Sequence, residues 1–285
     1  MGEIAAPLTD IAINLTDPVF QRDLPELLQR ARQAGVTRML VTASDLAQAY
    51  EAQQLCQRFP EQLWSTAGVH PHHARGWQQG DEQRLRLLLK HPHVCALGEC
   101  GLDFNRDFSP RPQQQQVFEC QLALAADTGL PVLMHERDAH ATFVELVSRY
   151  RPGLSGAVLH CFTGSAAELQ RYLELDLYIG ITGWICDERR GQHLVPLLHQ
   201  IPPERLLLET DSPYLLPRSL RPKPKSRRNE PAHLRHIAEF VAAALQMPVE
   251  RLAQQTSANA RRLFRPDRTC GAHPAPAETG PAPRR

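Results

Sequence analysis

The chain has 285 residues, enough to bury a large core as one α/β barrel or as two smaller domains. Its 32 Lys and Arg nearly balance 31 Asp and Glu, so no global field advertises a polyanionic partner, and such a site has to arise by local clustering. The opening Met-Gly-Glu-Ile-Ala-Ala-Pro has no basic run before a long apolar segment, and no stretch of about 18 apolar residues follows, which argues against a signal peptide and a helical membrane span.

Short apolar runs alternate with amphipathic stretches along the chain. Ile11 to Leu15 reads as a first strand, followed by a helix from about Leu24 to Ala34 that stops at Gly35. Arg38 to Thr42 is a second strand and Leu46 to Phe59 a second helix. Leu63 to Val69 is a third strand, running into Gly68-Val-His-Pro-His-His73, and a helix at about Asp81 to Lys90 follows. Pro92 to Gly98 reads as a short buried strand that Gly98 breaks, leaving Glu99 at its end with Gly101 to turn the backbone around it. A long helix, Gln113 to Thr128, closes with Gly129, and Pro131 to Met134 runs into His135. Next come a helix near Ala139 to Tyr150, a strand Gly156 to Leu159 running into His160, and a helix at about Ala166 to Glu174. Leu177 to Ile181 is a seventh strand, Glu188 to His199 a helix, and Arg205 to Leu208 an eighth strand ending in Glu209-Thr-Asp211. Asn229 to about Phe264 reads as helical. From Arg265 the sequence is rich in Pro, Ala and Arg with almost no large apolar residue, the composition of a disordered tail.

Eight β–α units in a chain of this length predict a (β/α)₈ TIM-type barrel, and no linker-like stretch favours a division into two doubly wound domains. Residues 1–9 are expected to be an extension, 10–264 the barrel and 265–285 the tail. The seven cysteines show no CxxC pairing and sit mostly in apolar runs, as free thiols do in a reducing compartment, so a cytoplasmic location is expected.

Ligand-type side chains stand at the strand ends: His70 on the third, Glu99 on the fourth, His135 on the fifth, His160 on the sixth and Asp211 on the eighth. In a barrel these ends share one rim, so residues far apart in sequence converge there. Any one of these histidines taken alone is more often structural than a ligand, with His135 evenly balanced. It is their recurrence at matching positions that points to a metal site. His91, His93, His193, His199, His233, His236 and His273 fall in helices, helix flanks or the tail and read as packing or surface residues.

These segments resemble the TatD-type metal-dependent deoxyribonucleases. The resemblance runs from about Asp10 to Phe264. It rests on Gly68-Val-His-Pro-His72, Gly98-Glu-Cys-Gly-Leu-Asp103, Met134-His-Glu-Arg-Asp-Ala139, Leu159-His-Cys-Phe-Thr-Gly164, Glu209-Thr-Asp-Ser-Pro-Tyr214 and Arg228-Asn-Glu-Pro231. Asn14-Leu-Thr16 and Gly183-Trp-Ile-Cys-Asp-Glu-Arg-Arg190 place it near the 3′–5′ exonucleases of that family, which prefer single strands. The resemblance implies Glu99, His135, His160 and Asp211 as ligands of a divalent ion, Mg²⁺ first, and His70 in contact with the scissile phosphate. Ligand chemistry alone favours Zn²⁺ or Mn²⁺, because two imidazoles are softer than Mg²⁺ usually takes. Most members carry Asp-x-His-x-His on the first strand. Here the run is Asp10-Ile-Ala-Ile-Asn14, so Ala12 and Asn14 replace the histidines and one tightly held ion is expected.

Phosphodiester cleavage fits this set without the resemblance. It needs an activated water and relief of negative charge on the phosphoryl oxygens; a divalent ion supplies both, with Asp211 to accept the proton and Glu99 to grip the ion. The resemblance implies a substrate contact from His70; Arg228 and Asn229 in its last motif and Arg137 just past His135 are further expected contacts, and Phe104, Phe162, Trp184 and Tyr214 are each as readily stacking as core residues. The acid-free run holding Arg218, Arg221, Lys223, Lys225, Arg227 and Arg228 begins shortly after Asp211, with Pro222 and Pro224 keeping it from forming a helix, and reads as a phosphate-binding loop. The expected partner is single-stranded DNA ends, or RNA, handled by a monomer in DNA repair or turnover. Two other classes use the same residues differently: an amidohydrolase cleaving an amide or ester, and a nucleic-acid-binding protein without catalysis. The basic loop has little use on a small neutral substrate, and binding alone has no need of Asp211.

Removing everything after about Pro266 is expected to leave the melting temperature nearly unchanged, because that segment has little apolar surface to contribute to a core. A substantial drop on truncation, read by circular dichroism, would show that the tail docks.

Overall fold

The computed structural model describes residues 6–264. Eight strands form one parallel sheet in sequence order: β1 (Leu8–Ile13), β2 (Val36–Val41), β3 (Leu63–Ala67), β4 (Val94–Asp103), β5 (Val132–Arg137), β6 (Ala157–Leu159), β7 (Tyr178–Ile181) and β8 (Leu206–Leu208). Between and after them run α1 (Leu24–Gln33), α2 (Leu46–Arg58), α3 (Asp81–Leu88), α4 (Arg111–Thr128), α5 (His140–Tyr150), α6 (Ala166–Glu174), α7 (Leu234–Ala244) and α8 (Val249–Phe264). This is the expected (β/α)₈ barrel. None of the helices among the described residues is long and apolar enough to cross a membrane. β1 begins at Leu8, inside the stretch read as an extension, and the segment from Arg265 lies outside the described residues.

The strands are buried on both faces, which is why they read as continuous apolar runs without alternation. Ile11, Leu40, Trp64, Cys95, Ala96, Leu133, Val158, Tyr178 and Leu207, drawn from all eight strands, form the inner cluster. Ala260, Leu263 and Phe264 of α8 join it. Leu263 packs against Gly156, just before β6, so α8 closes the N-terminal mouth of the barrel. The outward faces pack with the helices in a second, larger cluster that includes Leu27, Phe118, Phe143, Tyr172, Ile237 and Leu252.

The seam between β1 and β8 is the thinnest part of the wall. It is held by a bridge between Ile13 and Ser212, with Asn14 N–H donating to the Ser212 carbonyl at 2.9 Å and Asp211 N–H to that of Ala12 at 3.0 Å. The buried Asp10 carboxylate reinforces it, accepting from Thr210 N–H at 2.9 Å and from its hydroxyl at 2.6 Å. Burial lifts the Asp10 pKa to about 8 against these hydrogen bonds, so the acid stays protonated into neutral pH.

Two expectations change. The fourth strand does not stop at Gly98: β4 runs on through Glu99 to Asp103, pairing Cys100 with Met134 through to Asp103 with Arg137. Gly98 and Gly101 extend it because they lack side chains. They sit at φ 141° and 138°, with the β5 backbone where a Cβ would be, and the register slips between Leu97 and Cys100. The helix expected over Glu188 to His199 is absent. Single 3₁₀ turns, Gln192–Leu194 and Pro196–Gln200, take its place, because Gly191 and Pro196 interrupt any α-helical hydrogen-bond ladder there.

Gly101→Ala is expected to destabilise the fold by at least about 2 kcal/mol, since the new methyl collides with the His135 backbone at a φ that L-residues rarely adopt. Denaturant melts that match those of the wild type would show that β5 yields easily at this point.

Candidate metal centre and nucleic-acid cleft

At the C-terminal mouth the strand ends surround a cavity of about 860 Å³. His70, Glu99, His135, Arg137, His160 and Asp211 all line it, so the barrel brings together six of the eight residues singled out from sequence. Glu99 is the hub. One of its oxygens, Oε1, lies 2.8 Å from His160 Nε2, 3.3 Å from His70 Nε2 and 3.5 Å from His135 Nδ1.

The charge states follow from this crowding. Burial pushes the Glu99 carboxyl up, but the imidazoles of His160, His70 and His135 outweigh it and hold the group well below the carboxylate range. His160 lies between Glu99 and Glu209, with Nδ1 3.5 Å from Glu209 Oε2, and the two acids raise it well above the imidazole range despite burial. Burial takes His70 the other way, to about 4, only partly offset by Glu99. His70 Nδ1 accepts the His72 backbone N–H at 3.1 Å, so the proton of this neutral ring is on Nε2, facing Glu99. His70 is therefore set up as a hydrogen-bond donor more than as a ligand.

Asp211 faces the same cavity beyond β8. Burial, with the charges of Glu99 and Glu209 added, raises it to about 7, while His160 and a hydrogen bond from Asn14 Nδ2 at 3.0 Å pull it down. Asn14 Oδ1 in turn accepts from the Thr42 hydroxyl at 3.1 Å. Asn14 thus orients the acid, and Ala12 beside it is fully buried in the wall.

Three residues of the centre were not picked out from sequence: His72, Asp103 and Glu209. Asp103 accepts from His72 Nε2 at 2.6 Å and from the backbone N–H groups of Asn105 and Arg106 at 3.0 and 2.8 Å, and lies 3.4 Å from His135 Nε2. These contacts overcome burial and hold it well below the carboxylate range. Glu209 accepts the Cys161 N–H through its other oxygen. A signal for Asp103 was present: with β4 continued, Glu99, Gly101 and Asp103 fall on one face at the two-residue period of a strand.

The donors fit a divalent metal. Ligand atoms of His70, Glu99 and His135 lie within 4.8 Å of one another, with His160 on the same Glu99 oxygen. Among the described residues, the buried atoms without a hydrogen-bond partner include His135 Nε2, His160 Nδ1 and Glu209 Oε2, so these rings face Asp103 and Glu209 without a closed hydrogen bond and the cluster is not fully satisfied by protein groups.

Two expected substrate contacts lie elsewhere. Arg228 is held by the Asp23 carboxylate at 2.7 and 2.8 Å, and Asn229 is fully buried, donating to the Thr210 carbonyl at 3.0 Å. Neither lines the cavity. Arg137 does; its guanidinium donates to Thr163 Oγ1 at 3.3 Å, sits 5.6 Å from the Trp184 ring centre, and has no carboxylate partner among the described residues. Of the aromatic candidates, Trp184 and Tyr214 line the cavity, Phe162 is buried in the core, and Phe104 carries the Arg111 guanidinium.

An (β/α)₈ barrel with an imidazole–carboxylate cluster at its C-terminal mouth defines a metal-dependent hydrolase type of architecture. The model of the TatD-related DNase family matches residues 9–265, and the chain belongs to that family. It is 55% identical over 258 residues, 90% of this chain and 99% of the other, to the 3′-5′ ssDNA/RNA exonuclease TatD of Edwardsiella piscicida. Among solved structures it resembles a TatD-family hydrolase from Entamoeba histolytica, with TM-score 0.84, 26% identity and coverage of 92% of this chain and 99% of that one. A TatD homologue from Escherichia coli gives 0.82 and 28%, with 90% and 98% covered.

Asp103→Asn is expected to weaken Mn²⁺ binding by roughly 10–100-fold, because the His135 ring loses the carboxylate behind it. Calorimetric titration checks this, with circular dichroism to verify the fold; unchanged affinity would remove Asp103 from the centre.

Proposed function

We propose that the chain is a divalent-metal-dependent 3′–5′ exonuclease acting on the ends of single-stranded DNA, and on RNA. The observation that carries this reading is the buried Glu99 carboxylate, met on one oxygen by three imidazoles at the floor of an open cavity. Family membership supports phosphodiester hydrolysis, and the names of the close relatives support the polarity and the single-stranded substrate.

Glu99, His135, His160 and Asp211 would hold the metal, with Mg²⁺ the first choice as a partly hydrated ion tolerant of mixed ligands and Mn²⁺ or Zn²⁺ as alternatives. When bound there, a divalent ion lowers the pKa of its water and neutralises phosphoryl charge. Asp211, which faces the same cavity, would accept the proton of the attacking water. His70, on the cavity wall beside Glu99, and Arg137, whose guanidinium has no carboxylate partner among the described residues, would contact phosphate oxygens. Trp184 and Tyr214 offer faces for stacking the terminal bases.

End-labelled single-stranded DNA incubated with Mg²⁺, with and without chelator, tests this reading. Release of mononucleotides from the 3′ end that stops on chelation is expected; internal fragments, or a gel shift alone, would overturn it. Glu99→Ala is expected to abolish hydrolysis, and Asp211→Ala to lower kcat by roughly 10²–10⁴-fold with the fold retained. Full activity of either at saturating metal would sink the assignment.

A further inference from the structure

The basic segment between β8 and α7 divides into tethers and free cations. At its start, Leu215 and Pro217 lie against Gly183, where a Cβ would come within 2.6 and 2.8 Å of them. Arg218 then binds Glu188 at 3.2 Å and Asp187 at 3.5 Å. Asp187 also holds Arg190 at 3.0 Å, and the Arg190 guanidinium lies 4.3 Å from the centre of the Trp184 ring on the cavity wall. At its end, Arg228 grips Asp23 and donates to the Val19 carbonyl at 3.1 Å, next to Pro18, which lines the same cavity in the loop after β1. The segment is therefore fastened to the loops that follow β7 and β1, on either side of β8, both of which contribute residues to the cavity wall.

What remains between the tethers is differently disposed. Arg221 is spent on the carbonyls of Arg218 and Leu220. Lys223, Lys225 and Arg227 are exposed, and among the described residues none has a carboxylate within ion-pair distance. Pro222 and Pro224 remove two backbone donors and stiffen the chain between them. Three solvated cations on a stiff segment, with Asp187, Glu188 and Asp23 already engaged by the flanking arginines, form a surface for a polyanion.

We infer that Lys223, Lys225 and Arg227 form an exosite for the phosphate backbone of a single-stranded nucleic acid, engaging nucleotides beyond those inside the cavity. The inference rests on the nuclease reading above and adds a length dependence to it. A dinucleotide fits within the cavity and gains nothing from the segment, whereas a longer strand reaches across it. Stacking by Tyr214, 55% exposed at the start of the segment, leads the strand in that direction.

The test compares the wild type with the full-length triple variant Lys223→Gln, Lys225→Gln, Arg227→Gln, on a dinucleotide and on a strand of roughly 15 nucleotides. With chelator present, fluorescence anisotropy over a salt series gives the binding of the longer strand. Loss of three phosphate contacts is expected to reduce the slope of log K against log salt by about 2. With metal present, KM for the longer strand is expected to rise while dinucleotide hydrolysis stays at the wild-type rate. An unchanged salt slope, or equal losses on both substrates, overturns the exosite. Absence of hydrolysis in the wild type would instead overturn the nuclease reading, and the anisotropy series would still judge the segment.

Discussion

A carboxylate taken out of water costs several kcal/mol unless cations or donors meet it, and Glu99 is met by three imidazoles. Its one oxygen collects His70, His135 and His160 from three other parts of the wall. The site is therefore assembled by the barrel, from residues at the ends of four neighbouring strands. Behind each ring stands a second group: the His72 backbone N–H bonded to His70, the Asp103 carboxylate 3.4 Å from His135, and Glu209 3.5 Å from His160. The arrangement alternates acid and imidazole, so burial that would neutralise any single member is offset by its neighbours.

The backbone makes room for that alternation. Gly98 and Gly101 let β4 and β5 approach closely enough for Glu99 and Asp103 to flank His135 on one face. Cys161 and Asp211, just beyond β6 and β8, take left-handed conformations with φ of 50° and 52°, which for Cys161 turns the N–H onto Glu209. At the β1–β8 seam, where few ladder bonds are available, Asp10 and Thr210 join the strands next to the acid they position. Closure of the barrel and placement of Asp211 are the work of one set of hydrogen bonds.

Function follows from what is left unsatisfied at the mouth. The arginines around the cavity fall into two groups: those that bind protein carboxylates and brace the loops, such as Arg190, Arg218 and Arg228, and those that do not, such as Arg137. Charge counted along the chain does not separate the groups. Geometry does, because an arginine already paired with a buried or half-buried acid has little left to offer a phosphate.

Much was legible in the order of residues. Apolar runs spaced by amphipathic helices were enough to define eight β–α units, and His70, Glu99, His135, His160 and Asp211 stood at strand ends because a parallel barrel puts all those ends on one rim. The family motifs marked the same positions. Local pattern misled where a residue's role depends on a distant neighbour: Gly98 looked like a strand break, yet it is the close-approach point that carries β4 on to Asp103, and Asp103 went unrecognised as a result. Arg228 and Asn229 looked like substrate contacts because they sit in a basic, motif-bearing run, but Asp23 and the Thr210 carbonyl claim them. Sequence thus determined which elements form and which chemistries are available, since both depend on local pattern and residue type. Only the tertiary structure decided which of those side chains are paired and which stay free, because pairing is set by distances between residues that lie up to about 200 positions apart.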